Sequence, residues 1–480
     1  YMSRRQQLSP WMLTIEPFTK LLPYVQKAGA NVQLRQKAFY TFMALLIYVV
    51  GQQIPLYGMQ AVIDKDPAYW LRHIFMSERG TLMELGLGPT MTSQFVVRLL
   101  VTAGVLSYDR MNDSENVLFG RVQQLIGAVF TIFQAIFHVV AGMYGPLATL
   151  GFMNATLIVV QLCSASIIMQ VLDQMLDNGW GIGQGSSLFS TANTCINVVW
   201  KMLSFMKIDR GYGSEYEGAI PAAFHYIITR ESKWEGVKLA FLRQGLPNIL
   251  NVIATVVVFF VVLFLQGVAY NMPIQPNQGG QQYSRDYPIK LLYASSTPLM
   301  IIQQITSTIY MFSQALWKKT GSNIITAILG TYTESEQRPG QMFPVGGLAW
   351  ILAPPYSFRS AFFHPLHTIL HTALTLFMSA MISKVWLGFS GESAEEQFRQ
   401  LKEAKWTLKG HRDESMLKEL QKYIPTAAVT GGVILSALSL VADIFGTLGS
   451  GSGLLMAASA LVKMVEDVRK EYSQVGVNIK

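Results

Sequence analysis

Roughly ten long apolar stretches run along this chain of 480 residues, and many of them contain Gly, Pro, Ser, Thr, Asn or Gln. An apolar stretch of about 20 residues is long enough to cross a bilayer as one helix. Polar groups in such a helix must face a protein interior or an aqueous path, because lipid leaves their hydrogen bonds unsatisfied. The pattern therefore predicts a polytopic membrane protein that encloses a conduit.

The composition agrees with a large surface in lipid. Hydrophobic residues make up 51% of the chain and charged residues only 14%, whereas charged residues are about a quarter of an ordinary soluble protein. The first residues show no short apolar core followed by a small-residue cleavage site, so no cleavable signal peptide is expected. We therefore expect the first span to act as the targeting signal.

The apolar stretches predict ten spans, and an even number places both termini on the same side of the membrane. Basic residues cluster in the N-terminal tail and in the 388–423 loop, which share that side. Because basic loops are retained on the cytosolic side, we expect both termini in the cytosol. The predicted spans cover approximately residues 36–56, 81–103, 118–142, 149–171, 184–204, 244–267, 289–316, 364–387, 424–446 and 450–466.

Four segments are too polar to cross the membrane. Residues 57–80 contain a short amphipathic stretch, and residues 205–243 combine charges and aromatics with a helical pattern typical of an interfacial segment. Residues 268–288 are rich in Gln, Gly and Pro, which predicts a flexible loop. Residues 391–423 show the Glu-to-Lys spacings of short solvated helices.

The segment before the ninth span reads KGHRDESMLKELQKYIPTAA and leads into a Gly-rich apolar stretch. Other characteristic motifs are QQIPLYG, RGTLMELGLGPTMTS, GMYG, GWGIGQGSSLF, LPNILNVIAT, YPIKLLYASSTP, FPVGGLAWILAPP and LGSGSGLLM. Together these motifs cover nearly the whole chain, in family order. They resemble the SecY family of protein-translocation channels, and within it the alpha subunit of the eukaryotic form more than the bacterial form.

The resemblance implies an all-α membrane protein. Its ten transmembrane helices are expected in two pseudo-symmetric five-helix halves around a central hourglass pore with a short plug helix. The expected divisions are an N-terminal half (1–205, with the plug at about 57–80), a lumenal linker (206–243) and a C-terminal half (244–480, with cytosolic loops 268–288 and 388–423).

The implied function is that of the pore-forming subunit of the endoplasmic-reticulum translocon. Such a subunit passes secretory polypeptides across the membrane and releases signal and transmembrane segments into lipid through a lateral gate. The resemblance implies neither enzymatic activity nor a cofactor or metal. The implied partners are the translocon beta and gamma small subunits, the ribosome with its RNA and proteins, nascent polypeptides with their signal sequences, post-translational Sec partners and membrane lipids.

A protein-conducting pore must admit a polypeptide while leaking few ions. A ring of apolar side chains repels water yet yields to a wider chain. Two of the expected ring positions are serines. They indicate either a ring that seals less tightly or a plug that carries more of the sealing. For every ring residue, ordinary helix packing is the alternative. By resemblance, the ring comprises Leu87, Met91, Ser186, Ser190, Met300 and Met456, and the plug presents Trp70, Leu71, Ile74 and Phe75.

The lateral gate is expected between spans two and seven, flanked by spans three and eight. By resemblance, its polar cluster maps to Thr92, Gln134 and Thr308, and the last position is commonly Asn in the family. Interhelical polar contacts in membranes contribute about 0.6–2 kcal/mol each, which suits a gate that must open. The shorter Thr308 is expected to weaken this latch, unless the three residues only pack between helices.

Arg98 is the least expected residue of the second span. An arginine inside the membrane costs several kcal/mol unless it reaches the interface or faces water. Arg98 lies two turns from the predicted cytosolic end of the span. The sequence leaves two arrangements open, snorkelling to the surface and a place in the cytosolic vestibule.

The cytosolic loops offer a basic surface for ribosomal RNA. Guanidinium groups bind phosphates in bidentate fashion, and several cations together produce salt-sensitive affinity. Relatives carry basic residues near the tip of the 268–288 loop, whereas this tip reads NQGGQQ, so less docking is expected there. A solvated charged surface is the alternative. The expected contacts are Arg412, Lys405, Lys409, Lys418 and Arg285.

Two other protein classes have similar broken helices or buried polar groups. A small-solute transporter calls for an ionisable pair at the membrane midplane, and Arg98 is the one candidate. An intramembrane enzyme requires a Ser/His, paired-Asp or metal constellation, and the chain contains neither HExxH nor the nucleotide-binding GxxxxGK[ST] motif. The sequence therefore favours a conduit whose driving force comes from a partner.

Overall fold

Helices dominate the computed structural model, which describes the chain with short gaps. The described residues are 10–20, 22–29, 32–59, 80–106, 113–140, 142, 144–145, 147–209, 214–230, 232–243, 246–276, 285–292, 297–334, 342–355, 358–390, 393–408 and 413–474.

The helices are numbered in chain order. They are α1 (Pro10–Thr19), α2 (Leu34–Gln53), α3 (Gly88–Thr102), α4 (Asp113–Val140), α5 (Leu147–Leu150), α6 (Phe152–Met175), α7 (Gly185–Leu203), α8 (Ala219–Thr229), α9 (Lys233–Leu242), α10 (Ile249–Gly267), α11 (Thr297–Thr320), α12 (Ile324–Leu329), α13 (Gly347–Leu352), α14 (Phe358–Phe363), α15 (Pro365–Ser390), α16 (Ala394–Glu403), α17 (Asp413–Ile444) and α18 (Gly451–Gln474). A π-helical turn, Leu176–Trp180, continues α6.

Short strands connect some of these helices and pair into small antiparallel sheets. They are β1 (Lys207–Asp209), β2 (Ser214–Tyr216), β3 (Ala269–Pro276), β4 (Arg285–Lys290), β5 (Thr331–Glu334), β6 (Met342–Gly346) and β7 (Trp406–Leu408).

A long helix lies at each of the ten positions where the sequence predicts a span, namely α2, α3, α4, α6, α7, α10, α11, α15, α17 and α18. Among the described residues, five helices are long and apolar enough to cross a membrane by length and composition. They are Glu115–Val140, Phe152–Trp180, Ile249–Gly267, Pro365–Gly388 and Ser415–Ile444. The other five spans stay predictions.

The helices that miss the apolar criterion carry polar residues inside their sequences. In α7, Ser190, Thr191, Asn193 and Thr194 follow one another closely and are all buried. A helix of this composition is more stable against protein or water than against lipid, because lipid offers no hydrogen-bond partners. Buried polar residues of this kind are expected in a helix that borders a conduit.

The loop between α6 and α7 closes through two hydrogen bonds. The backbone N–H of Gly185, the first residue of α7, donates to Asp177 Oδ1 at 3.0 Å. The backbone N–H of Ile182 donates to Thr41 Oγ1 of α2 at 2.9 Å. A carboxylate is favourable at a helix N-terminus, where backbone N–H groups lack partners. Gly183 turns the chain with a φ of +80°, which favours glycine.

The loop between α17 and α18 repeats this arrangement. The N–H of Gly451 donates to Asp443 Oδ1 at 2.7 Å, and the N–H of Leu448 donates to Thr255 Oγ1 of α10 at 2.9 Å. Gly449 has a φ of +94° at the position that corresponds to the turning glycine of the first loop. The spacings from the aspartate to the donors and to the glycine are the same in both loops. The chain therefore contains one loop structure twice.

The chain groups into two compact units that do not follow chain order. The first contains residues 1–190, 304–350 and 463–480, and the second contains residues 191–303 and 351–462. The division into 1–205, 206–243 and 244–480 stays a prediction.

The prediction of a flexible loop at 268–288 is wrong for the two flanks of this segment, which form strands. Strands β3 and β4 form an antiparallel hairpin with Met272 opposite Tyr287. The alternating residues Met272 and Ile274 are buried, together with Ile289 of β4. This alternation is the pattern of a strand with one buried face, and it outweighs the Gln, Gly and Pro content. The tip, 277–284, lies outside the described residues.

The hairpin belongs to a larger module of the second unit. Strand β3 also pairs with β7, where Ile274 lies opposite Leu408. The buried side of this three-stranded sheet packs on α15, α16 and α17 through Leu387, Leu401 and Leu420. The described parts of the two predicted cytosolic loops therefore pack together, and we call them the β3–β4–β7 module (269–276, 285–290, 387–390, 393–408 and 413–428).

Candidate functional site

Four predicted pore residues lie in the first unit. Leu87 is the fully buried N-cap residue of α3, and Met91 follows one turn later, half-buried, with its N–H donating to Leu87 O at 3.0 Å. In α7, Ser186 is half-buried and Ser190 is buried. Within the described residues, Ser190 Oγ has no hydrogen-bond partner. A buried hydroxyl without a hydrogen bond does not stabilise the fold, because it has lost its bonds to water without replacing them.

The other two ring residues, Met300 and Met456, lie buried in the second unit. Their positions repeat those of the first unit in sequence. Met300 comes two residues after the proline at the start of α11, as Met91 does at the start of α3. The same number of residues separates Met456 from Asp443 as separates Ser190 from its own loop aspartate. Four of the six predicted ring residues therefore fall on repeat-equivalent positions.

The predicted plug residues Trp70, Leu71, Ile74 and Phe75 lie outside the described residues. Their role stays a prediction.

The predicted gate cluster contains a hydrogen bond between α3 and α11. Gln304 Nε2 donates to Thr92 Oγ1 at 2.7 Å, and the Thr92 hydroxyl in turn donates to Gly88 O at 2.8 Å. Thr308 does not make this bond, because its hydroxyl donates to Gln304 O in its own helix at 2.8 Å. The structure thus brings two of the three predicted residues around Gln304.

Gln304 is a residue that the sequence analysis missed. It is buried and lies one turn before Thr308 on α11. The sequence contains a signal for this contact, because a glutamine in an apolar stretch needs a polar partner. A long amide side chain reaches across to Thr92, whereas a threonine one turn later bonds only within its helix. The bond between α3 and α11 is therefore made by Gln304, and the expected weakening at Thr308 stays a prediction.

The third predicted gate residue, Gln134, is half-buried on α4. One turn further along, Phe137 meets Phe312 of α11 with ring centroids 5.3 Å apart and planes tilted by 41°. Aromatic pairs of this geometry contribute about 0.5–1.5 kcal/mol beyond their buried area. An aromatic contact therefore joins α4 to α11.

Arg98 is half-buried on α3, and both sequence alternatives for it stay predictions. Asp177, in the turn after α6, interacts electrostatically with Arg98 of α3 and with Lys463 of α18. An arginine in an apolar helix costs less when an opposite charge lies near it. The carboxylate that closes the α6–α7 loop therefore also compensates the arginine.

Tyr332 of β5 contacts the second half of α11. Its phenol donates to Tyr310 O at 3.3 Å, and the two rings meet edge to face at 5.3 Å. Burial raises the pKa of Tyr332 to about 12, so the phenol keeps its proton at neutral pH and remains a donor.

Two of the predicted ribosome contacts, Lys405 and Lys418, lie on the described part of the β3–β4–β7 module. Lys405 is exposed and occupies the turn between α16 and β7 with a φ of +58°, and Lys418 is exposed on α17. Arg285 begins β4, although its side chain is outside the described part of the structure. Lys409 and Arg412 lie outside the described residues.

Comparison with known proteins identifies relatives along nearly the whole chain. A family model described as SecY matches residues 81–465. The Sec61 subunit alpha of Dictyostelium discoideum, a protein transport protein, is 40% identical over 466 residues, which cover 97% of this chain and 98% of that protein.

Solved structures share the fold. A protein-conducting channel superposes with a TM-score of 0.77 at 24% identity, over 95% of this chain and 97% of that one. Sec61 in the canine ribosome-channel complex from the endoplasmic reticulum has a TM-score of 0.75 at 24% identity and the same coverage. The idle yeast Ssh1 complex bound to the yeast 80S ribosome has a TM-score of 0.76 at 27% identity, over 96% and 95%.

Proposed function

The chain belongs to the SecY family, and from that premise we propose that it is the pore-forming subunit of an endoplasmic-reticulum translocon. It passes secretory polypeptides across the membrane and releases signal and transmembrane segments into lipid. The observation that carries the proposal is the 40% identity to a Sec61 alpha subunit over 97% of the chain. The family is one of protein-transport channels, and we propose no enzymatic role.

The proposed architecture is ten spans in two pseudo-symmetric halves, 1–205 and 244–480, joined by the lumenal linker 206–243. The repeated Asp-to-Gly loop supports it, because each copy ties the last helix pair of a half to that half's first long helix through Thr41 or Thr255. Repeat-equivalent positions also carry four of the six residues of the proposed pore ring. Apolar side chains there seal by repelling water, with the plug at 57–80 adding to the seal.

The proposed lateral gate opens between α3 and α11. Its latch is the bond from Gln304 to Thr92, with Thr308 supporting the backbone beside Gln304 and with Gln134 on the α4 side. One polar contact of about 0.6–2 kcal/mol holds the gate closed without preventing its opening. A hydrophobic signal that gains more than this from lipid contact separates the helices.

Orientation and partners complete the proposal. Both termini lie in the cytosol, and the beta and gamma small subunits, post-translational Sec partners and surrounding lipids assemble around the chain. The ribosome docks on the β3–β4–β7 module, whose exposed Lys405 and Lys418 suit RNA phosphates. The repeated loop and the gate latch require no bound cofactor.

The test is site-specific cross-linking to a nascent polypeptide. The full complex is reconstituted in vesicles, and a photo-reactive amino acid replaces Met91 or Met456 while a ribosome feeds a secretory chain. We expect cross-links from both sites to the middle of the nascent chain, because ring residues touch the polypeptide in transit. The control site is Phe264 of α10, which is 74% exposed and is expected to face lipid. Equal cross-linking from the control and the ring sites would contradict the proposed pore.

Ribosome docking has its own prediction. Replacing Arg412, Lys405 and Lys418 by Glu should weaken ribosome binding, because phosphate-pairing cations become repelling anions. The slope of log affinity against log salt should fall by about one for each phosphate that is no longer paired, as measured by co-sedimentation over a salt series. Arg230→Glu, an exposed cation at the end of α8, is the matched control and should leave binding unchanged. An unaltered slope in the triple variant would place the dock elsewhere.

A further inference from the structure

The α8–α9 hairpin (219–242) turns large apolar side chains away from its own core. Ala222, Ala223, Tyr226 and Ala240 form the buried core between the two helices. Outward-facing residues remain widely exposed: Phe224 is 64%, Ile228 74%, Trp234 79% and Leu242 60% exposed. Contiguous apolar surface of this kind marks a contact with another molecule or with a membrane.

The exposed residues lie on one face of each helix. In α8, Phe224 and Ile228 are one turn apart, opposite the buried Tyr226. In α9, Trp234, Lys238 and Leu242 follow one another at one-turn spacing, opposite the buried Ala240. Residues at this spacing share a helix face. The lysine on the apolar face can lay its aliphatic stem along that face and extend its ammonium outward.

The two helices of the hairpin pack closely against each other. The helices approach so closely at Gly236 that a Cβ there would lie 2.7 Å from Tyr226 O. Lys233 Nζ donates to the carbonyl oxygens of Ile227 at 2.9 Å and Ile228 at 3.3 Å, which caps the end of α8. The outward face is therefore presented in one fixed shape.

The hairpin is also fixed to the end of α7. Arg243, which is buried, donates to Tyr216 O at 2.7 Å and Glu217 O at 2.9 Å. Glu217 Oε2 in turn accepts from Trp200 Nε1 at 2.9 Å and from Ser204 Oγ at 3.1 Å, at the last turn of α7 and just beyond it. This chain of contacts holds the hairpin at the end of a predicted span.

The other end of the hairpin leads directly into a second span. Ile249, the first residue of α10, packs against the hairpin core, and α10 is apolar enough to cross a membrane. The hairpin therefore lies between the end of α7, a predicted span, and the start of α10. Phe205 and Met206, which follow α7, are 77% and 62% exposed and extend the apolar surface. Aromatic residues concentrate at this level, where apolar rings meet lipid head groups.

We propose that the α8–α9 hairpin lies in the membrane interface, with Phe224, Ile228 and Trp234 inserted among lipid head groups and upper acyl chains. The occupant of the face is lipid, because the hairpin core includes the first residue of α10 and hydrogen bonds hold the hairpin to the end of α7. An interfacial hairpin of this kind anchors the connection between the proposed halves at a constant depth.

The experiment places a fluorophore on each side of the hairpin. Cys163 and Cys195, the only cysteines of the chain, are replaced by Ala, and a single cysteine replaces Phe224, Ile228 or Trp234 in the full chain with its co-purifying subunits. Each cysteine carries the environment-sensitive dye NBD, and the complex is reconstituted in phosphatidylcholine vesicles. Thr229, exposed on another side of α8, is the matched control site.

We expect the dye at the three apolar sites to emit at shorter wavelength than at Thr229. It should lose most of its intensity to nitroxide-labelled lipids and little to aqueous iodide, with the reverse at Thr229. Iodide quenching at all four sites alike would show that the face lies in water, which overturns the proposal. Protection from both quenchers would show a protein on this face and would overturn it equally.

Discussion

Gln304→Ala lowers the hydrophobicity that a signal needs to enter lipid. The substitution removes the bond to Thr92 across α3 and α11, and the closed gate loses about 0.6–2 kcal/mol. Because 1.4 kcal/mol is a factor of ten, the open-to-closed ratio rises about threefold to thirtyfold. The Thr92 hydroxyl keeps its bond to Gly88 O, so the variant leaves no buried donor without a partner.

The measurement is a series of model signals with stepped leucine content, scored for membrane insertion by the reconstituted complex. The threshold should move toward fewer leucines in Gln304→Ala. Thr308→Val is the matched control, because it conserves shape and removes only a bond within α11; its threshold should stay close to that of the unchanged chain. An unshifted threshold in Gln304→Ala, or an equal shift in Thr308→Val, would show that the latch is not Gln304.

Gly451→Ala reduces the amount of folded protein. A Cβ at this position would lie 2.5 Å from Ser439 O and 2.8 Å from Ala442 Cβ, both on α17. The helices α17 and α18 must then separate at the loop, and overpacking of this kind costs about 1–3 kcal/mol. The same shift disturbs the bond from the Gly451 N–H to Asp443. A destabilisation of this size is expected to change steady-state abundance several-fold.

The measurement combines the abundance of the chain in membranes with its thermal aggregation midpoint in detergent. Gly388→Ala in α15 is the matched control, since nothing lies within 4 Å of the added Cβ; it should be neutral or slightly stabilising in a helix. Gly185→Ala should repeat the decrease, because its Cβ would meet Asp173 Cα at 2.8 Å. Normal abundance of both loop variants would contradict the repeated close approach.

The positions of the long helices could be predicted from local sequence. Hydropathy and length depend on neighbouring residues, so the ten predicted spans coincide with ten long helices of the described chain. Recognition of the family rested on short motifs in order, which are local as well. The motifs also indicated which residues of α3 and α11 face each other, although they pointed to Thr308 instead of Gln304.

Pairings between distant residues could not be predicted in this way. The bond from Gln304 to Thr92 joins residues 212 positions apart, and the pairing of β3 with β7 joins Ile274 to Leu408. The Gln, Gly and Pro content of 268–288 predicts a flexible loop, yet β3 and β4 form at its flanks. Burial against a partner, more than local propensity, stabilises a strand.

By itself, the sequence determined the helical membrane class, the family and the approximate bounds of the long helices, because apolar length and motif order are written along the chain. Only the tertiary structure decided which polar groups meet. It paired Gln304 with Thr92 across α3 and α11, placed Asp177 within electrostatic range of Arg98 and showed that one Asp-to-Gly loop occurs twice. The physical reason is that a hydrogen bond depends on distance and direction in space, to which separation along the chain gives no guide.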